Sequence, residues 1–192
     1  MFKSRLGLPL IGIAGIMATV AVAPPAQAGT CAASTTCSTT VTFTVAAEGG
    51  LQITVPNTAS LGSGNPAGQI SAQLGSVTVA DQRAALTATW VASVVAAAGA
   101  FTTGGGTTAE TVPNTAVLYW SGAATATTGT GTFVPGQVNA AAAQSLDVSR
   151  TAFSKTTGSG DNSATWNPTV VVNVPDQAVA GVYTGTVNHS VA

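Results

Sequence analysis

The chain of 192 residues has a formal net charge of −1, with 6% charged, 5% aromatic and 45% hydrophobic residues. Charged residues make up about a quarter of an ordinary soluble domain, so this composition departs from that of a typical cytoplasmic enzyme. The 5 Lys and Arg residues are too few for the basic surface that nucleic-acid binding requires. We therefore expect one domain of ordinary size and no nucleic-acid partner.

The N-terminus has the pattern of a secretory signal peptide, residues 1–28. Two basic residues open the chain, residues 6–22 form an uncharged apolar run, and Ala26-Gln27-Ala28 supplies the small residues that signal peptidase reads. An uncleaved membrane anchor is the alternative, but a Pro-Pro pair before the cleavage motif favours removal. We expect a secreted, extracellular or cell-wall-associated protein with no transmembrane segment after cleavage.

Cys31 and Cys37 are the two cysteines of the chain. An exported protein meets oxidising conditions, in which a cysteine pair is bridged more often than free. We expect a local structural disulfide between them, in a short N-terminal segment of residues 29–40, with free or intermolecular thiols as the alternative. Because the closed loop is short, the bridge would stabilise the fold by about 2 kcal/mol or less.

After this segment the hydrophobic pattern has a period of two residues, which is typical of half-buried strands. Residues 40–46, T-V-T-F-T-V-A, are the first example, and their β-branched side chains suit a pleated surface better than a helix. About nine such strands, punctuated by Gly, Pro and Asn, indicate an all-β, antiparallel, Ig-like β-sandwich over residues 41–192. The predicted strands are residues 40–46, 51–55, 77–79, 86–94, 116–120, 131–134, 145–153, 169–174 and 181–191.

Two features interrupt the strand pattern. Residues 138–144 include a run of alanines, for which we expect at most one helical turn in a crossover loop. A V-P-N/D-x-A pattern recurs from Val55, Val112 and Val174, where Pro presets the backbone of a β-turn and the next side chain can bond to it. We interpret these copies as turns at strand ends, with an internal duplication as the alternative.

The polar residues offer little for catalysis. The one histidine, His189, lies in an alternating strand pattern, the chain has no Gly-x-Ser-x-Gly nucleophile motif, and the 6 acidic residues are scattered singly. Metal binding needs three or four convergent ligands, and no spacing of that kind is present. We therefore predict a protein that is not an enzyme, with no cofactor and no catalytic or metal-binding residue.

A few polar and aromatic residues stand out in this charge-poor chain. Asp81 and Arg83 lie two residues apart, and we expect them to pair and fix the turn before the next strand, with ligand binding as the alternative. Trp90 is flanked by valines and is expected in the core. Trp120 and Trp166 stand at strand ends, where we expect enough exposure to make them candidate ligand-binding residues for a sugar or a cell-wall polymer.

Several of these segments together resemble the WxL-type surface domains of Gram-positive bacteria. The resemblance rests on V-T-V-A-D-Q-R at residues 77–83, on T-W-V-A around Trp90, on the V-P turn at Val112, and on A-G-V-Y-T-G-T at residues 180–186. It implies a secreted β-sandwich, although the chain lacks the family's Trp-x-Leu motifs, to which peptidoglycan binding is tied. The residues to which the resemblance assigns structural roles are Trp90, Asp81, Arg83 and Tyr183.

We expect a non-catalytic surface protein of an actinobacterium, secreted or associated with the cell wall, whose ligand is peptidoglycan or another cell-surface polymer. The alternative is a structural or assembly subunit resembling a pilin or coat protein, with self-association through exposed strand edges. Binding to isolated walls would favour the first interpretation, and concentration-dependent polymers would favour the second.

Overall fold

The computed structural model describes residues 32–192. The predicted signal peptide and Cys31 lie outside these residues, so the cleavage and the disulfide remain predictions, although Cys37 is not a free thiol. The chain divides into two compact units, Met1–Phe43 and Thr44–Ala192. In the described part of the first unit, the backbone N–H and the side-chain hydroxyl of Thr35 both donate to the carbonyl oxygen of Ala32.

The second unit is all-β and antiparallel, which confirms the predicted β-sandwich class. Its strands are shorter and more numerous than predicted, because turns and bulges break the longer alternating runs. The strands of the described residues are β1 (Leu51–Thr54), β2 (Gln69–Gln73), β3 (Val77–Asp81), β4 (Trp90–Ala96), β5 (Phe101–Thr102), β6 (Thr111–Val112), β7 (Val117–Trp120), β8 (Ala124–Thr128), β9 (Phe133–Pro135), β10 (Gln144–Ser145), β11 (Arg150–Lys155), β12 (Asn162–Trp166), β13 (Thr169–Asn173) and β14 (Val187–Val191).

One layer of the sandwich consists of two four-stranded ladders that follow one another end to end. β1-β3-β12-β8 forms the first ladder and β10-β7-β13-β2 the second. The strand β2 leads through Gly75 into β3, while their partners β13 and β12 are joined through Pro168, so the two ladders continue one another. The backbone N–H of Leu74 donates to the carbonyl oxygen of Pro168 at 2.8 Å where the ladders meet. Gly75 has φ of 104°, a backbone conformation that glycine adopts without steric cost.

The second layer is the sheet β14-β4-β11-β9. Side chains from both layers meet in one core, where the rings of Phe153 and Trp166 stack at 4.9 Å. Burial alternates along β3 and along β4, as the period of two predicted. The largest apolar side chains of the core are Val77, Val79, Trp90, Val94, Val117, Tyr119, Leu146, Phe153, Trp166 and Val170.

Several predicted strands are wrong in place or extent. Residues 40–46 form no strand, and Val41, Phe43 and Val45 are 79%, 86% and 77% exposed. Leu86, predicted to open a strand, is 90% exposed, and β4 begins only at Trp90. An alternating pattern shows that a segment suits a pleated, half-buried surface, but the neighbouring strand that pairs with it must come from elsewhere in the fold.

The bounds of other strands differ from the predicted ones. The predicted strand of residues 145–153 is divided into β10 and β11, and that of residues 181–191 is shortened to β14. The strands β2, β8 and β12 were not predicted, because they are rich in Ala, Ser, Thr and Gln and carry few large apolar side chains.

The predicted short helical turn is confirmed, and so are the proline turns after Val112 and Val174, whereas the copy after Val55 forms only a bend at Asn57 without the closing hydrogen bond. Ala140–Ala142 is a single 3₁₀ turn, capped by Asn139, whose side-chain oxygen accepts from two backbone N–H groups. In the turns at Pro113 and Pro175, the carbonyl oxygen of the proline accepts a hydrogen bond from the backbone N–H of the third residue after it. These donors are Ala116 and Ala178. Within residues 32–192, no helix is long and apolar enough to cross a membrane.

Candidate functional site

A buried polar network ties the two layers together at one end of the sandwich. Asp81, at the end of β3, is 1% exposed, and both of its carboxylate oxygens accept hydrogen bonds from Arg83, at 2.8 and 2.9 Å. Asn162, which pairs with Asp81 across the ladder, donates to it at 3.3 Å. The side-chain oxygen of Asn162 in turn accepts from the indole N–H of Trp90 on the other layer, at 2.9 Å.

The network fixes the loop between β3 and β4. Arg83 also donates to the carbonyl oxygen of Thr89 at 2.8 Å, so its guanidinium bridges the two ends of this loop. The hydrogen bonds from Arg83 lower the pKa of Asp81, and they outweigh the opposing effect of burial. The predicted Asp81–Arg83 pair therefore forms, and its contacts are those of a structural turn.

The role of Asn162 is not predictable from the sequence. This residue opens a strand of small residues, and nothing in the sequence indicates that its amide faces a tryptophan 72 positions away. Its neighbour Asp161 also holds the β3–β4 loop, since its carboxylate accepts from the backbone N–H of Ala84 at 2.9 Å.

Lys155 is a buried cation, and no feature of the sequence predicts its position. It is 1% exposed and lies between Trp90 and Phe133 in the register of the second layer. Its ammonium donates to the carbonyl oxygen of Ala88 at 2.8 Å and lies 5.8 Å from the centre of the Phe133 ring. No carboxylate of the described residues forms a salt bridge with it. A carbonyl and an aromatic face therefore take the place of a carboxylate partner.

The three tryptophans occupy different environments. Trp90 is 2% exposed, which confirms the predicted core position. The expected exposure of Trp166 is wrong, because its side chain is completely buried and its indole N–H donates to the hydroxyl of Tyr119 at 3.0 Å. Trp120 is half-buried, and its indole nitrogen is shielded from solvent without a hydrogen-bond partner. The predicted sugar-binding pair of tryptophans is therefore not brought to an exposed surface.

His189 and Tyr183 belong to the C-terminal part of the fold. Both ring nitrogens of His189 are buried without a hydrogen-bond partner, and the ring meets that of Tyr119 edge-on at 5.9 Å. Burial lowers the pKa of His189 to about 4, so the ring is neutral at pH 7. The hydroxyl of Tyr183 lies 2.9 Å from the carbonyl oxygens of Ala109 and Val179, and it fastens the segment before β14 to the rest of the domain.

The outer face of the ladder β1-β3-β12-β8 carries hydroxyl groups and no charge. Thr78 and Thr165 on neighbouring strands join their hydroxyls at 2.9 Å, and Thr128 and Ser163 do so at 2.7 Å. Asp81 is the one charged residue of these four strands, and it points into the core. Since each hydroxyl can both donate and accept, this face offers an ordered array of uncharged hydrogen-bonding groups.

No family model matches the chain, and no curated protein or solved structure is similar to it. The resemblance to WxL-type domains therefore remains a prediction from the residues that carry it. Within residues 32–192, no three side chains of His, Cys, Asp or Glu lie close enough together to hold a metal ion. The features that remain as candidates for function are the hydroxyl-bearing face and the edges of the sheets.

Proposed function

We propose that the chain is a non-catalytic surface protein, secreted or associated with the cell wall, that contacts peptidoglycan or another cell-surface polymer. The observation that carries this proposal is the uncharged outer face of β1-β3-β12-β8, with its paired hydroxyls at Thr78–Thr165 and Thr128–Ser163. Glycan and peptide polymers expose hydroxyl and amide groups, which this face can match by both donating and accepting hydrogen bonds.

The ordering of the hydroxyl-bearing face favours binding. Its side chains are β-branched or short and are already held by hydrogen bonds to one another, so few rotamers remain to be fixed when a ligand binds. A sheet surface is also extended, as a linear polymer is. The proposal therefore assigns polymer contact to this face and not to Trp120 and Trp166, the residues expected from the sequence.

Three buried groups that could otherwise act as an acid, a base or a nucleophile are engaged in packing, which supports binding over catalysis. Asp81 is saturated by Arg83 and Asn162, and the ammonium of Lys155 is bonded to a backbone carbonyl. The nitrogens of His189 are shielded from solvent. A general acid or base must reach the proton that it transfers, and none of these groups is placed to meet a substrate.

The face is tested by sedimentation of the exported protein with isolated Gram-positive cell walls. The double variant Thr78→Val, Thr165→Val keeps the β-branched shape and removes two hydroxyls, so we expect wall affinity to fall by about tenfold or more. Thr151→Val, an exposed position on the other layer, is the matched control and should bind as the unmodified protein does. Equal wall affinities for all three proteins, with unchanged melting temperatures, would show that this face does not contact the wall.

A structural or assembly subunit is the second candidate function. The observation that favours it is the exposed, alternating segment of residues 40–46, which precedes a sandwich with strands open at the sheet edges. An unpaired strand edge presents N–H and C=O groups to which another chain can add.

A further inference from the structure

The segment of residues 40–46 has the side-chain pattern of a strand without the pairing of one. Val41, Phe43 and Val45 alternate with threonines, and all three are at least 77% exposed. Val45 belongs to the same compact unit as the sandwich, yet it does not pack on the core. Large apolar side chains in regular alternation and exposed together mark a surface that a partner covers.

The C-terminal strand β14 offers an open edge. It is the last strand of its sheet and pairs with β4. Ala192 and Val91 exchange two backbone hydrogen bonds, of 2.9 and 3.1 Å, and bonded pairs alternate along an antiparallel ladder. Asn188 and Ser190 therefore bond to β4, whereas the N–H and C=O groups of Val187, His189 and Val191 point away from it.

The rim beside this edge is apolar and incompletely covered. Val187, His189 and Val191 are half-buried, and so are Leu51 and Ile53 of β1. All four aliphatic residues pack against the core cluster from its border. A strand added beside β14, with its apolar side chains turned inward, would extend the core over this border.

We propose that residues 41–45 of a second copy of this chain add to β14 as an extra strand. The segment V-T-F-T-V and the strand V-N-H-S-V have the same length and the same alternation. In the added strand, Val41, Phe43 and Val45 therefore fall on the inner face. The threonines between them fall on the outer face, as Asn188 and Ser190 do in β14. Neither segment carries Asp, Glu, Lys or Arg, and His189 is neutral at pH 7, so no like charges oppose the pairing. The inference rests on the second candidate function, and it supplies the contact between subunits.

The proposed contact is heterologous, because the donating segment and the accepting edge are different parts of the chain. Each copy can therefore donate to one neighbour and accept from another. Such head-to-tail contacts form open chains unless their rotation closes a ring. Strand addition of this kind gains affinity from backbone hydrogen bonds and specificity from alternate side chains.

The donor is tested on the full chain, recovered after export from a Gram-positive secretion host and examined by size-exclusion chromatography with light scattering. We expect the mass of the unmodified protein to rise with concentration. Phe43→Asp places a charge on the inner face of the donor and should leave a monomer, whereas Thr44→Asp places the same charge on the outer face and should still assemble. Assembly of Phe43→Asp equal to that of the unmodified protein would overturn the donor assignment and leave the second candidate function standing.

The acceptor is tested by Val191→Pro, which removes an outward N–H and keeps the bonds from β14 to β4. This variant should also be monomeric, with the near-ultraviolet dichroism of a folded domain. A mixture of Phe43→Asp, which only accepts, and Val191→Pro, which only donates, should form a dimer that neither variant forms alone. If the mixture stays monomeric while the unmodified protein assembles, β14 is not the acceptor. If the unmodified protein is monomeric at every concentration, both this inference and the second candidate function are wrong.

Discussion

The network at the end of the sandwich leads to a quantitative prediction for Asn162→Ala. The substitution removes three hydrogen bonds, to the Trp90 indole at 2.9 Å, to Asp81 at 3.3 Å and to the carbonyl oxygen of Gly160 at 3.1 Å. Asp81 keeps its three hydrogen bonds from the backbone and guanidinium of Arg83, but the indole N–H of Trp90 is left buried without an acceptor. A buried unsatisfied donor costs about 1–3 kcal/mol, so we expect the free energy of unfolding to fall by about 2–4 kcal/mol.

The assay is urea unfolding followed by tryptophan fluorescence and by far-ultraviolet circular dichroism. Asn173→Ala is the matched control, because Asn173 also accepts a hydrogen bond at 2.9 Å, from Gln69, but on the exposed surface. This control should cost less than about 0.5 kcal/mol. In a double-mutant cycle with Trp90→Phe, the two costs should fall short of additivity by about 1 kcal/mol or more. A cost below about 1 kcal/mol for Asn162→Ala, or additive costs in the cycle, would refute the proposed role of the network.

Three further predictions concern the core and its buried titratable groups. Trp90→Ala should lower the free energy of unfolding by about 3–5 kcal/mol, and an unchanged melting temperature would contradict the core assignment. The pKa of His189 is lower in the folded than in the unfolded state, so the neutral ring contributes fully to the free energy of unfolding above about pH 6.5. This free energy should fall by about 2–3 kcal/mol on acidification to about pH 4.5. In His189→Phe the decrease should be smaller by that amount, and an identical decrease in the variant would show that His189 is not the group responsible. Lys155→Met keeps the apolar stem and removes a buried charge without a carboxylate partner, so urea unfolding should show unchanged or increased stability, whereas a loss above about 2 kcal/mol would show that the ammonium is needed.

Those parts of the fold that depend on local sequence were predictable. The alternation around Val77 and Trp90 gave strands with a buried face, and Pro113 and Pro175 gave turns, because each signal lies within a few residues. The Asp81–Arg83 pair was predictable for the same reason, since its members are two positions apart.

The parts that depend on distant partners were not predictable. Residues 40–46 carry as strong a strand pattern as any segment of the chain, yet they form no strand, because pairing depends on a neighbour that the pattern does not name. Trp166 looks like a strand-end residue in the sequence, but Phe153 and Tyr119 from other strands bury it. Lys155 and Asn162 acquire their roles from Ala88, Trp90 and Phe133, contacts that form only once the layers are assembled.

The most direct test of the central claim, that the chain acts by binding and not by chemistry, is incubation of the purified protein with purified Gram-positive cell walls. Both the bound fraction and the soluble wall fragments are measured over time. We predict saturable binding to the walls without release of fragments beyond that from walls alone. Absence of binding, or a steady release of soluble sugar or peptide fragments in proportion to the amount of protein, would contradict the account.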